Sequence, residues 1–242
     1  MDTEKKTNRT AAETRKVTPR EKNRAREVFE RLAAAYPDAR CALEYHKDPF
    51  RLLIMTILSA QCTDTRVNTV SRDLFRQFRG PKDFAEAQAG TVEEAIRSCG
   101  FFRTKGRAIR ESCRLLLERH GGKVPGDMES LLALPGVGRK IANVILGECF
   151  GVPGVVVDTH CGRVARRLGF TRADAPDKVE RDLQALWPRE TWTLYSHLLV
   201  FHGRAVCRAR NPKCGACPVA DLCPRRGVTA DARRDPKGKK PT

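Results

Sequence analysis

An all-α fold is predicted by three features of this 242-residue sequence. Helix-starting signatures recur along it, with Thr or Asp ahead of Pro or an acidic residue. Glycines close several of the helical runs that follow. Val155–Val157 is the single strand-like run, and three residues do not make a sheet.

The elements follow in order. Thr18-Pro19-Arg20-Glu21 is a capping box with proline at the first helical position, opening a helix that runs to Tyr36–Pro37. Asp48–Pro49 repeats the device ahead of a buried helix over 49–58. The polar break "SAQCTD" at 59–64 precedes a helix capped by Asp64 and continuing through Phe78. "TVEE" at 91–94 reads as a capping box whose helix stops at Gly100, and the next helix ends at the Gly121–Gly122 pair. Asp127 caps "MESLLAL". A glycine turn then leads into an apolar helix over 140–149, and "VVVDTH" into a helix ending at Gly169. Two more helices are expected near 176–187 and 190–202.

Charged residues make up 31% of the chain and hydrophobic residues 40%, an ordinary balance for a globular protein. The net charge is +17, of which the ends 1–17 and 227–242 supply only +2 and +3. The body itself is therefore basic, which points to a polyanionic partner, most often nucleic acid. The longest apolar run, "LLIMTIL" at 52–58, falls well short of the ~18 residues that span a bilayer. The N-terminus is polar and charged throughout, so neither a signal peptide nor a membrane role is expected. Both ends are poor in apolar residues, and disordered basic tails are expected over 1–20 and 227–242.

Ten cysteines are present. Cys41, Cys62, Cys99, Cys113, Cys149 and Cys161 are scattered in apolar or helical surroundings, as expected of small core residues. Cys207, Cys214, Cys217 and Cys223 form C-x6-C-x2-C-x5-C in "CRARNPKCGACPVADLC". Four thiols so close together signal a metal site in a reducing compartment rather than a secreted disulfide framework. Zinc accepts four thiolates, although structural zinc sites more often use two CxxC pairs. An iron–sulfur cluster is the other reading. Arg208, Arg210, Lys213, Arg225 and Arg226 make the same loop a candidate for phosphate contact.

The stretch "LPGVGRK" at 134–140 places Gly136 and Gly138 in a helix–turn–helix joint, where glycine allows positive φ and close backbone approach. The turn exposes N–H groups at a positive helix end, a ready phosphate site. Lys140 sits there beside Arg139, and Asp158 follows 18 residues later. A free lysine ammonium is neutral in only about one molecule in 2,500 at pH 7. Nearby positive charge and desolvation by the apolar run Ile141–Leu146 are the means by which such a lysine becomes a nucleophile. Taken alone, Lys140 could equally be a solvated, phosphate-binding lysine, and Asp158 a helix N-cap. His160 reads first as a polar residue at a helix start.

Together with "ILSAQCTD", "GFFRTKGRAI" and the cysteine cluster, this hairpin and its aspartate resemble the DNA glycosylases of the endonuclease III superfamily over about residues 21–226. The resemblance implies two helical domains. One is a contiguous bundle, 42–152, carrying the hairpin 134–140. The other joins an N-terminal helix, 21–41, to residues 153–226, with the active site in the cleft between them. It implies a [4Fe–4S] cluster on Cys207, Cys214, Cys217 and Cys223. Lys140 would attack the anomeric sugar carbon of an oxidised or ring-saturated pyrimidine nucleotide, form a Schiff base and nick the strand by β-elimination, with Asp158 stabilising the developing charge. The target must be flipped out of the duplex. Gln61 suits the orphaned partner base and Phe101 the apolar wedge, while Gly136, Gly138, Arg139 and His160 are the other candidate DNA-binding residues. The expected partner is double-stranded DNA with damaged bases or abasic sites, bound by a monomer in the cytoplasm, nucleoid-associated if the source is bacterial. Rival readings are a monofunctional mismatch glycosylase of the same superfamily, a non-catalytic helix–hairpin–helix DNA-binding module, and an iron–sulfur electron carrier.

Overall fold

A computed structural model of the chain describes residues 16–228. Among these the regular structure is entirely helical, with no strand, and Val155–Val157 forms none. Helix α1 (Pro19–Ala35) opens on the expected capping box: Thr18 accepts from the Glu21 N–H at 3.2 Å and Glu21 accepts from the Thr18 N–H at 3.0 Å. Residues 16–20 are thus ordered into a helix start rather than a tail, and Val228 is buried at the other end. The rest of both expected tails lies outside the described residues.

Helix α2 (Pro49–Leu58) is capped by Asp48 and is buried over its whole length from Leu52, so it forms the axis of the first half of the molecule. Helix α3 (Asp64–Gln77) is capped by Thr63, not Asp64 as expected; Thr63 Oγ1 accepts from the Arg66 N–H at 3.3 Å. That leaves the Asp64 carboxylate free to reach Arg204 at 2.8 Å. A short helix, α4 (Pro81–Glu86), was not expected; it starts on Gly80–Pro81 and buries Phe84 and Ala85. The "TVEE" helix, α5 (Thr91–Ala95), is shorter than expected. Its N-cap is Gly90, at φ 91°, with the Gly90 N–H donating to Glu93 Oε2 at 3.1 Å. Helices α6 (Phe102–His120), α7 (Met128–Leu132) and α8 (Arg139–Cys149) complete the first half.

Helices α9 (Thr159–Arg167), α10 (Pro176–Leu186) and α11 (Trp192–Ala205) form the second half, with a 3-10 turn at Arg189–Thr191 replacing the start expected for the last helix. The buried apolar residues fall into two clusters. One is built from Leu43 through Leu146. The other takes Ala25, Val28 and Leu32 from α1 and joins them to Val155, Val164, Leu183, Tyr195, Leu198 and Val219. Polar links bridge the halves. Glu148 of α8 accepts from His197 Nε2 of α11 at 2.7 Å, and Arg139 of α8 pairs with Glu180 of α10 at 2.7 Å.

Candidate active site

The glycine turn is held from below. Ser112 of α6 donates to Pro135 O at 2.8 Å, and Gly136, at φ 80°, lies so close to α6 that an added Cβ would stand 3.1 Å from Ala108 Cβ. Gly136 therefore needs to be glycine on both counts. Gly138 does not: it is extended at φ −96°, and a Cβ there would meet nothing within 4 Å. Its value lies outward. As N-cap of α8 it brings no side chain to satisfy the first N–H groups, which leaves them available to an anion.

Lys140 projects from this first turn and is exposed. The expected desolvation by Ile141–Leu146 is not realised, because Ile141, Ala142, Ile145 and Leu146 turn into the first core instead. Nor is Arg139 a loose cation beside it. Its guanidinium grips Glu180 through Nε and Nη2 at 2.7 and 3.0 Å. Glu180, only 5% exposed, also accepts from Asn143 Nδ2 at 3.1 Å, and Asn143 donates to Val155 O at 3.0 Å. Three residues past Val155 comes Asp158. The lattice Arg139–Glu180–Asn143–Val155 thus fixes the start of α8 against the segment that delivers Asp158. Neither Glu180 nor Asn143 was singled out from sequence; one acid among three in a helix of mixed charge gives no sign that it will be buried.

Asp158 is the N-cap of α9, with Oδ1 accepting from the Cys161 N–H at 2.7 Å, and it is only half-buried. His160 lies against α11: its Cβ packs beside Gly203, and its Nδ1 is 3.1 Å from Nη2 of Arg163, one turn on in α9, which donates to Gly203 O at 2.9 Å. It belongs to the packing of α9 on α11.

Gln61 and Phe101 come from connections 40 residues apart yet lie together: a Cβ on Gly100 would stand 3.9 Å from Gln61 O. Phe101 is 63% exposed, unusual for a phenylalanine, and its neighbour Phe102 packs against the core instead. Both Gln61 (φ 52°) and Phe101 (φ 58°) occupy the left-handed region, which is costly for residues with a Cβ and persists only where surroundings enforce it.

Cys207, Cys214, Cys217 and Cys223 line one small cavity with Arg167, His202 and Val219. Among the described residues no set of three or more acidic, His or Cys groups converges as a single metal ion requires. Four thiols around a cavity, rather than around a point, fit a polynuclear cluster better than zinc. N–H donors face the sulfurs as thiolate ligands need: Arg167 Nη1 reaches Cys207 Sγ and the Arg225 N–H reaches Cys223 Sγ, each at 3.4 Å. Arg167 also donates to the carbonyls of Arg208 and Ala209 at 2.6 and 2.8 Å, pinning the loop that carries the cysteines. His202 is buried between Tyr36 Oη and Cys217 Sγ, and burial pushes its imidazole down to about 4. The six other cysteines are unpaired; Cys99, Cys113 and Cys161 are buried and Cys41, Cys62 and Cys149 half-buried.

Comparison with known proteins identifies two matched regions. Residues 54–189 match the model of the HhH-GPD superfamily base excision DNA repair proteins, and residues 207–223 match the iron–sulfur binding domain of endonuclease III. The chain is 48% identical to endonuclease III of Synechocystis over 204 residues, 84% of this chain and 93% of that one. It is 41% identical to the Escherichia coli K12 enzyme over 197 residues, 81% and 93% respectively. A solved endonuclease III–DNA covalent intermediate superposes with a TM-score of 0.81 at 43% identity, covering 87% of this chain and 97% of that one. A thermostable thymine-DNA glycosylase shares the fold, with a TM-score of 0.75 at 21% identity.

Proposed function

From the premise that this chain belongs to the endonuclease III family of HhH-GPD base excision repair proteins, we propose that Lys140 is its nucleophile and Asp158 the carboxylate that works with it. The protein is a base excision repair DNA glycosylase that binds DNA and carries a [4Fe–4S] cluster, and AP lyase activity is typical of its family. Among the described residues no helix is long and apolar enough to cross a membrane.

The observation that carries the assignment is the lattice through Glu180 and Asn143, which registers the first turn of α8 against the segment ending at Asp158. Lys140 attacks C1′ of the flipped nucleotide as the C1′–base bond breaks and the base leaves. Loss of a proton and ring opening give the Schiff base, from which β-elimination expels the 3′ phosphate. Asp158 faces the positive charge that develops on the sugar. Since the protein leaves Lys140 exposed, the bound DNA must supply its desolvation. The uncapped N–H groups after Gly138 take a backbone phosphate. Gln61 pairs with the orphaned base and Phe101 fills the stack. The cluster, when bound, organises the basic loop of Cys207–Cys223 and supplies no step of the chemistry. Two domains, 42–152 and 21–41 with 153–226, with the site in the cleft between them, are part of this reading; the two separate apolar clusters support it. So are an oxidised or ring-saturated pyrimidine in duplex DNA as substrate and a monomer as the acting species.

Borohydride reduction during turnover on a duplex with one oxidised pyrimidine should trap a covalent protein–DNA adduct. Lys140→Gln should yield none while still binding the duplex. Normal trapping by that variant overturns the assignment.

A further inference from the structure

A buried lysine stands behind the two loops assigned to the duplex. Lys105 lies one turn into α6 and is only 5% exposed. Its Nζ donates to Leu58 O at 2.8 Å, while its main-chain N–H donates to Phe101 O at 3.0 Å. Leu58 is the last residue of α2, three before Gln61. The Leu58 carbonyl would normally receive the N–H of residue 62, but the Cys62 N–H donates to Ser59 O at 3.1 Å instead. The ammonium therefore caps an orphaned carbonyl at the negative end of a helix dipole. Its titratable neighbours are the thiols of Cys62 and Cys99, the residues beside Gln61 and Gly100. Burial lowers the pKa of Lys105, and burial raises Cys99 to about 11.

An ammonium is a costly way to fill this space. A buried charge without a carboxylate partner is disfavoured, and an apolar side chain of similar length would fill the site without that penalty. What the lysine alone supplies is a link between two segments distant in sequence. Its main chain holds the residue before α6, Phe101, and its side chain holds the helix end that feeds Gln61. Both residues are in left-handed conformations that need such enforcement.

We infer that Lys105 is a positioning residue for base extrusion, its ammonium locking the Gln61 and Phe101 loops in register for entry into the duplex. The inference rests on the assignment of Gln61 and Phe101 above. The test uses full-length protein with its cluster and a duplex bearing one oxidised pyrimidine beside 2-aminopurine, whose fluorescence reports unstacking. Lys105→Met keeps the stem and removes the charge; Lys105→Gln keeps a donor without the charge. In Lys105→Met, kcat for base excision should fall about ten- to a hundredfold with little change in KM, as for a misplaced group. The 2-aminopurine signal should fall in parallel. Nicking at a preformed abasic site, which costs less to extrude, should fall less, and Lys105→Gln should lie between Met and wild type. Excision at the wild-type rate, or equal loss of excision and abasic nicking, overturns the inference. So does failure of both variants to fold with the cluster, which would make Lys105 a requirement of the core alone. If Gln61→Ala and Phe101→Ala leave excision unchanged, the loop assignment itself fails. If they slow it and Lys105→Met does not, only the role of Lys105 fails.

Discussion

Phe101 shows how much a single side chain can reveal. A phenylalanine with most of its surface in water and its backbone in the left-handed region contributes little to the core. Phe101→Ala should therefore change unfolding free energy by no more than about 1 kcal/mol, as surface substitutions do, while slowing excision from duplex DNA. A loss of the ~3–5 kcal/mol typical of core phenylalanine, measured by urea denaturation, would show it to be packing instead. Glu180 is the opposite case. It is buried and shared by Arg139, Asn143 and Gln184. Glu180→Leu takes the acceptor from one Asn143 amide hydrogen and from Gln184, and because the Arg139 guanidinium left behind is half-exposed, the change should cost about 1–3 kcal/mol. The same change should slow the chemical step more than DNA binding, because it frees the start of α8 from the Asp158 segment.

At the scale of the element, Asp158 combines a structural and a chemical task, and two substitutions separate them. Asn accepts a capping hydrogen bond almost as well as Asp, so Asp158→Asn should keep the melting temperature and lose excision. Asp158→Ala should lose excision and also about 1 kcal/mol of stability. Retained excision in the Asn variant would reduce Asp158 to a cap. The caps are also where sequence was most readable. Thr18, Asp48, Asp127 and Asp158 stand in this structure where their spacing placed them, because a cap is a local event between residues two or three apart. The misplaced ones failed by one position. Thr63 outcompetes Asp64, whose carboxylate has a distant partner in Arg204, and Gly90 supplies a left-handed turn before Thr91 can cap. The hairpin and cysteine spacing were legible for the same reason, being contiguous in the chain. The Glu180 lattice, Arg167 behind the cluster loop and Lys105 between two loops were not, since each joins residues far apart that no local pattern pairs. The exposure of Lys140 was likewise hidden, because an apolar run says which face is buried only once the partner helix is known.

For the molecule as a whole, the contact between halves carries a pH signature. Burial alone would raise Glu148, but hydrogen bonds from His197 and Tyr45 outweigh it and hold the carboxyl below the 4.5 of a free glutamate. A carboxylate depressed in the folded state stabilises above its unfolded pKa and loses that contribution as pH falls through the folded one. Wild-type stability, followed by urea midpoints, should drop as pH falls below 4.5, and Glu148→Gln should drop less over that interval. Removal of iron should act on the other half. The core of α1, α9 and α11 reaches the cysteine loop through Val219, so the apoprotein should lose DNA binding and unfold that core at lower temperature than the bundle.

That core has one further property. Leu32 and Val219 belong to one apolar cluster although 187 residues separate them, while the buried apolar residues from Leu43 to Leu146 form a cluster of their own. On the ribosome, at about 5–20 residues per second, the first helix emerges roughly ten to forty seconds before the segment that completes its environment. During that interval the bundle can fold, and α1 waits with Ala25, Val28 and Leu32 uncovered. Iron loading, which needs the final cysteine, comes last of all. Completion of this core therefore waits on both translation of the cysteine loop and delivery of the cluster. Iron starvation should be felt in newly made chains before it is felt in old ones.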